Sequence, residues 1–319
     1  MKRIVTVLGD RIPGELGFCQ SHEHLYIARG YPAQVHPDQC IDDPRKSAAE
    51  LALYKKAGGG AVVDAQPVGC GRDAQVLERI SKQSGVHVIA STGFHKMLFY
   101  PRGHWVFSLS CAELARIYTA ELTCGMYVAC DDAPPRNQTA IRAGQIKTAL
   151  DERALTGQYR KMFEAASRAA AETEAPMMVH IEKGSDPVAL ADFLQERGVD
   201  TKRTIFCHMD RSVSDIGVHR EICARGIYME YDTVARPKYH DDQREIEILR
   251  ELLSAGYENQ VLMSLDVTRA RLHSYGRGPG LVYILEKFLP LLRRGGIGEA
   301  QIRKIFTENP ARVFAYRQA

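Results

Sequence analysis

The sequence predicts an α/β protein, a closed (β/α)8 barrel, on two observations. Short β-branched runs alternate with longer helical patterns eight times along 319 residues, and strict strand-then-helix alternation builds a parallel sheet. The Gly-rich GxGxxG turn that usually opens a doubly wound sheet is absent after the first strand. Closure into a barrel is therefore the preferred arrangement of eight such units.

In order, the strands read "GFCQSHEH", "GAVVDA", "VHVIAST", "GQIKTAL", "PMMVHIE", "RTIFCHM", "IYMEYDTV" and "QVLMSLDV". Helical patterns lie between them, among them "AQVLERISKQS", "YRKMFEAASRAAAET", "QREIEILRELLSAG" and "LVYILEKFLPLLRRG". The terminal "TENPARVF" reads as one further helix on the outside of the barrel, with Asn309 as N-cap and Pro310 at the first helical position. No linker, longer repeat or low-complexity segment divides the chain, so residues 1–319 are expected to form a single domain. Two long loops break the rhythm, 30–43 after the first strand and 124–142 before the fourth. The first falls where barrel loops build an active-site mouth.

Composition narrows the function classes. With 45% hydrophobic and 25% charged residues, the chain can bury a sizeable core without staples. A net charge of +3 on 42 basic and 39 acidic residues, with no basic run interleaved with aromatics, argues against nucleic acid as a partner. The apolar run "IVTVLG" after "MKR" is too short for a secretory leader and no window approaches a membrane span, so a cytoplasmic protein with a small-molecule substrate is expected. The eight cysteines form no CxxC pair and are scattered through apolar segments, as reduced core thiols would be.

The chemistry gathers at strand ends. In an extended strand alternate side chains share a face, so His22 and His24 of "SHEH" point together and Glu23 points away. One HxH pair decides nothing, because a metal site needs further ligands. Other strand ends supply candidates: Lys147 on the fourth strand, His180 on the fifth, His208 on the sixth, Glu230 and Asp232 on the seventh, and Asp266 on the eighth. In a barrel these residues converge on the axis, and burying them without a metal would leave several polar groups unpaired at roughly 1–3 kcal/mol each.

Taken together, "SHEHL", "AGQIK", "MVHIEKG", "FCHMD" and "LMSLDVTR", followed by the terminal "ENPARVF", resemble the phosphotriesterase family of the amidohydrolase superfamily over nearly the whole chain. The resemblance implies a TIM barrel with a binuclear metal centre at the C-terminal ends of the strands. Two divalent ions are implied, zinc first, with manganese or cobalt as alternatives. His22, His24 and Asp266 would hold the more buried ion, and His180 and His208 the more exposed one. Lys147, carboxylated by CO2, would bridge them, since an unmodified ammonium would repel two cations. Asp266 would also be the acid/base catalyst. A homodimer is expected on the same ground.

The resemblance fixes hydrolysis but leaves the substrate to the loops. Arg269, three residues past Asp266, and Lys238, just past the seventh strand, are expected to overhang the mouth as an anion clamp. Phe94 and His95 of "STGFHK" are expected to wall the pocket. These features favour a lactonase acting on a sugar lactone, in particular a phosphorylated furanose lactone. An amide or carboxylester hydrolase is the alternative, with phosphotriester hydrolysis a weak side activity. A non-catalytic metal-containing binding barrel and a mononuclear deaminase are disfavoured by the complete ligand set and by Lys147.

Overall fold

A computed structural model describes residues 2–276 and 278–317. Eight strands form its frame: β1 (Phe18–Glu23), β2 (Gly59–Asp64), β3 in two pieces (His87–Ile89 and Ser91–Gly93), β4 (Gln145–Leu150), β5 (Met177–Ile181), β6 (Thr204–Cys207), β7 (Tyr228–Tyr231) and β8 (Val261–Met263). Each pairs in parallel with the next. The ring closes between β8 and β1, just past the end of β8. There the Asp266 N–H donates to the His22 carbonyl at 3.1 Å, and the buried Glu23 carboxylate accepts from the Leu265 and Val267 N–H groups at 2.8 and 2.9 Å. The architecture is the expected (β/α)8 barrel.

The main helices between strands are α1 (Pro44–Lys56), α2 (Ala74–Ser84), α3 (Cys111–Thr123), α4 (Gly157–Thr173), α5 (Pro187–Glu196), α6 (Ile216–Ala224) and α7 (Asp242–Ser254), and α8 (Leu289–Arg294) follows β8. Short polar caps start most of them. Asp43, Asp73, Asp186 and Asp241 each accept a hydrogen bond from a first-turn N–H, and Ser110 with Glu113 closes a capping box. Pro44 and Pro187 occupy the first helical position, where the missing N–H costs nothing.

Strand alternation divides the core into two layers. Val62, Val88, Ile146, Val179, Phe206 and Met229 pack outward against helix residues such as Leu51, Leu77, Phe163 and Leu249. Cys19, Ala61, Val63, Ile89, Met178, Ile205, Cys207 and Leu262 form a separate inner cluster, which also includes Val313, Phe314 and Ala315. The C-terminal segment thus joins the barrel's inner core, where an outside position was expected.

Asn309 is not the N-cap that "ENPARV" suggests. The helix runs on from Glu299–Arg303 through a π turn, Lys304–Glu308, into Asn309–Val313. Asn309 has helical dihedrals of −66° and −48°, and the wide turn accommodates Pro310, which has no N–H to offer an α-helical ladder. The Asn309 amide instead donates to the Glu258 and Val261 carbonyls at 2.8 Å each, pinning the helix to the start of β8.

All eight cysteines are free; six are buried, while Cys111 is half-buried and Cys124 exposed on the surface. Among the described residues no helix is long and apolar enough to cross a membrane. The loop at 124–142 forms a small hairpin, Tyr127–Val128 with Asn137–Gln138. It braces the loops after β2 and β3: Asp131 accepts from the Gly71 N–H at 2.8 Å and the Cys130 carbonyl from Trp105 Nε1 at 2.6 Å.

Candidate metal centre and substrate cavity

The first ligand pair depends on a bulge. Gln20 pairs with Val62 and Glu23 with Asp64, so β1 advances three residues while β2 advances two. The extra residue lets Ser21 and His22 both face inward, contrary to strict alternation. Ser21 Oγ donates to Glu230 at 3.0 Å and His22 Nδ1 meets Asp232 at 3.0 Å, and these two carboxylates lie two residues apart on one face of β7 and its continuation. Glu23, turned aside, closes the barrel seam.

Asp232 then sets the orientation of two imidazoles. Its other oxygen is 2.6 Å from His208 Nδ1. A carboxylate flanked by two Nδ1 atoms accepts from both, which leaves Nε2 of His22 and of His208 as free lone pairs. Glu182 does the same for His180, meeting its Nε2 at 3.2 Å and leaving Nδ1 to face His208 Nε2 at 2.7 Å. Burial is the leading cause of low basicity here: it pushes His22 down to about 4, with Lys147 adding to the effect, and His180 down to about 3. Neutral imidazoles with directed lone pairs are what a metal requires.

Two non-glycine residues at the site have left-handed backbones, His208 at φ 63° and Asp266 at φ 48°. Such conformations cost of order 1–3 kcal/mol each and persist only where surroundings impose them. Asp232 accepts the His208 N–H at 3.3 Å, and Arg236 donates to the Asp266 carbonyl at 2.5 Å. Arg236 also meets Asp266 Oδ2 at 2.8 Å. Burial alone would raise this carboxyl, but the Arg236 guanidinium and His24 hold it well below the ordinary carboxylate range.

Lys147 is fully buried, with Nζ 3.3 Å from His22 Nε2 and 4.0 Å from Cys207 Sγ. Among the described residues no carboxylate forms an ion pair with it. Its backbone is pressed against β3 at Gly93, where φ is +97° and a Cβ would run into the Lys147 carbonyl. His22, His24 and Asp266 offer ligand atoms within 4.8 Å of one another. These imidazoles and the Asp266 carboxylate suit a pair of divalent transition-metal ions, and the buried Lys147 amine, with no carboxylate partner among the described residues, is the one discordant member.

A cavity of about 520 Å3 opens above this centre. Of the eight strand-end candidates, His22, His24, Lys147, His180, His208 and Asp266 line it, as do His95 and Lys238, whereas Glu230 and Asp232 do not. Phe94 does not: it is fully buried and packs edge-on to Phe163 at 5.2 Å, in the layer beneath α4. Arg269 does not line it either. Its guanidinium donates to the Cys40 carbonyl at 2.8 Å and to Asp42 at 3.0 Å and lies over Tyr275, so it ties the loop after β1 in place.

The cations at the mouth are others, Arg211, Arg236 and Arg271, together with Lys96, which is paired to Glu182 at 2.8 Å. Arg211 stands out: Nε and Nη1 are buried without a hydrogen-bond partner among the described residues. It lies over Tyr239 and sits 3.6 Å from Asp266 Oδ2. "CHMDRS" places it three residues past His208, the one signal that could have singled it out. The loop after β1 contributes His36, Asp38 and Gln39 to the cavity lining.

A barrel that gathers these imidazoles, a carboxylate and a buried lysine at its strand ends is that of a metal-dependent hydrolase. The model of the phosphotriesterase family matches residues 2–314, and the chain belongs to that family, one of binuclear metal-dependent enzymes. It is 27% identical to the N-acetyltaurine hydrolase of Danio rerio, over 99% of this chain and 98% of that one. It is 28% identical to the phospho-furanose lactonase of Mycoplasmopsis synoviae, over 98% and 91%. The crystal structure of a lactonase from Listeria monocytogenes matches with a TM-score of 0.90 at 28% identity, covering 99% of this chain and all of that one.

Proposed function

We propose that this protein is a lactonase that opens an anionic sugar lactone, a phosphorylated furanose lactone in particular. The observation that carries the reading is Arg211, a buried guanidinium with unpartnered donors beside Asp266 in the cavity. A dry guanidinium with donors left over beyond its 3.6 Å contact to Asp266 is completed by a substrate anion. Lys238 lines the same cavity and adds a second positive charge. The names of the phospho-furanose lactonase and of the Listeria lactonase support the assignment.

His22, His24 and Asp266 would hold one metal ion, zinc in the first instance, and His180 and His208 the other. Carboxylation of Lys147 would turn the unpaired ammonium into the bridging anion between them. When bound, the two ions supply Lewis acidity and an activated water. The chain's own residues do the rest. Asp266 takes the proton of the attacking water and delivers it to the ring oxygen as the acyl C–O bond breaks. Arg236 keeps Asp266 ionised and aimed. Asp232 and Glu182 hold the imidazoles in register, while Arg211 and Lys238 seat the anion so that the carbonyl lies over the centre.

A second reading, an amide hydrolase, is favoured by the N-acetyltaurine hydrolase relatives, whose name describes an amide bearing an anion that the same guanidinium could receive. A pH-indicator assay of zinc- or manganese-loaded enzyme on furanose lactones with and without a 5-phosphate tests the first reading. Faster opening of the phosphorylated lactones is expected. Metal-loaded enzyme that opens neither but cleaves N-acyl amino sulfonates would replace it with the second.

A further inference from the structure

A second group of metal-type ligands lies outside the substrate cavity. Past His208 the chain enters a short helix, Met209–Ser212, whose Asp210 is buried and lines a separate cavity of about 160 Å3. Asp210 Oδ2 accepts the Thr233 N–H at 2.7 Å, but Oδ1 has no hydrogen-bond partner among the described residues. Glu245, in the first turn of α7, is fully buried, and among the described residues neither of its oxygens has a hydrogen bond of ordinary geometry. His240 lies with Nε2 3.2 Å from Glu245 Oε2. One ligand atom from each of the three falls within 4.8 Å of the other two.

The hydrogen bonding makes this arrangement unsatisfied as it stands. His240 Nδ1 is 3.0 Å from the Asp241 carbonyl, which can only accept, so the proton of a neutral imidazole sits on Nδ1. The Nε2 lone pair then faces a carboxylate oxygen, and a second carboxylate stands close by. Among the described residues no other donor reaches between this imidazole and the two carboxylates, a set that a cation would satisfy. His219, which lines the same small cavity, is already satisfied on both nitrogens, by Tyr231 at 2.6 Å and Val213 at 2.8 Å, and is no ligand.

We propose that Asp210, His240 and Glu245 bind a third divalent metal ion, separate from the catalytic pair. One imidazole and two carboxylates suit zinc or manganese, and the adjoining cavity gives room for water to complete the coordination. The site would fasten the segment after β7. His240 belongs to the same loop as Arg236 and Lys238, and Asp210 grips the backbone of Thr233, next to Asp232. An ion here would hold in place the loop that presents cationic residues to the substrate cavity.

The test is metal stoichiometry of the intact enzyme reconstituted with zinc, desalted, and analysed by inductively coupled plasma mass spectrometry. Three ions per chain are expected for the wild type, and two for Glu245→Gln and for His240→Gln. Titration with zinc followed by thermal melting supplies a second readout: a rise of several degrees with the third equivalent in the wild type, absent in the properly folded variants. Saturation of the wild type at two ions per chain would overturn the proposal. Retention of the third ion by both variants would overturn it equally.

Discussion

Replacing Arg211 by Met should separate substrates by charge. Met keeps an apolar side chain of similar length and removes the guanidinium, with its contact over the Tyr239 ring. That group is almost fully buried, with 7% of the side chain exposed, and its Nε and Nη1 are unpartnered. Its one ion-pair contact among the described residues, 3.6 Å to Asp266 Oδ2, is beyond hydrogen-bond length, so no hydrogen bond is lost in the free enzyme. A hydrogen bond to a charged group contributes about 1.5–3 kcal/mol. At about 1.4 kcal/mol per factor of ten, kcat/KM on a 5-phosphorylated furanose lactone should fall about 10- to 150-fold. The unphosphorylated lactone should change little. The assay is initial-rate hydrolysis of both lactones by wild type and variant at matched metal content. An equal loss on both would refute the reasoning, because Arg211 would then be acting on Asp266 and the metal centre, with no part in holding the substrate's anion.

Three further outcomes are expected. Enzyme stripped of metal and CO2 and reloaded with zinc in CO2-free buffer should recover little activity until bicarbonate is added; full recovery without it would rule out a carboxylated Lys147. Glu121→Gln should lower unfolding free energy by about 3–5 kcal/mol in urea titration, because it strands a buried Arg72 now held by both Glu121 oxygens at 2.7 and 2.8 Å. His104 is held neutral, its pKa lowered from 6.5 to about 4 chiefly by burial, with Nδ1 accepting from Val106 and Nε2 facing the Asp131 carbonyl. A depressed folded-state value means that its share of stability is complete above pH 6.5 and is lost as pH falls from 6.5 toward 4. Melting temperatures of His104→Gln should therefore depend less on pH across that window than those of the wild type.

The barrel and the strand-end residues are legible in the sequence because both follow from short-range rules. Alternation of strand and helix dictates the parallel ring, and the last inward residue of each strand must face the mouth, so Lys147, His180, His208 and Asp266 come together once the strands do. The β1 bulge is not legible: "FCQSHEH" carries no glycine or proline to mark an inserted residue, and the pairing shift appears only against β2. Local signals also mislead where tertiary demands outweigh them. Asn-Pro reads as a helix start, yet the carbonyls of Glu258 and Val261 claim the Asn309 side chain and the helix runs through it.

The misplaced cation shows where such reading stops. Arg269 follows Asp266 by three residues, as Arg211 follows His208, yet only Arg211 reaches the cavity. The difference is the backbone just beyond each strand. Both His208 and Asp266 are left-handed, but His208 turns at once into the helix Met209–Ser212, and one turn later Arg211 lies over the mouth. After Asp266 the chain runs on to Thr268, which is extended at φ −114° and ψ 175°, before a 3-10 turn delivers Arg269 to Asp42. No residue-type preference distinguishes the two, because a non-glycine residue adopts φ near +60° only when its neighbours impose it. For His208 the neighbour is Asp232, which accepts both its backbone N–H and its ring nitrogen. The position of Arg211 is thus set by the same carboxylate that orients the His22 and His208 imidazoles.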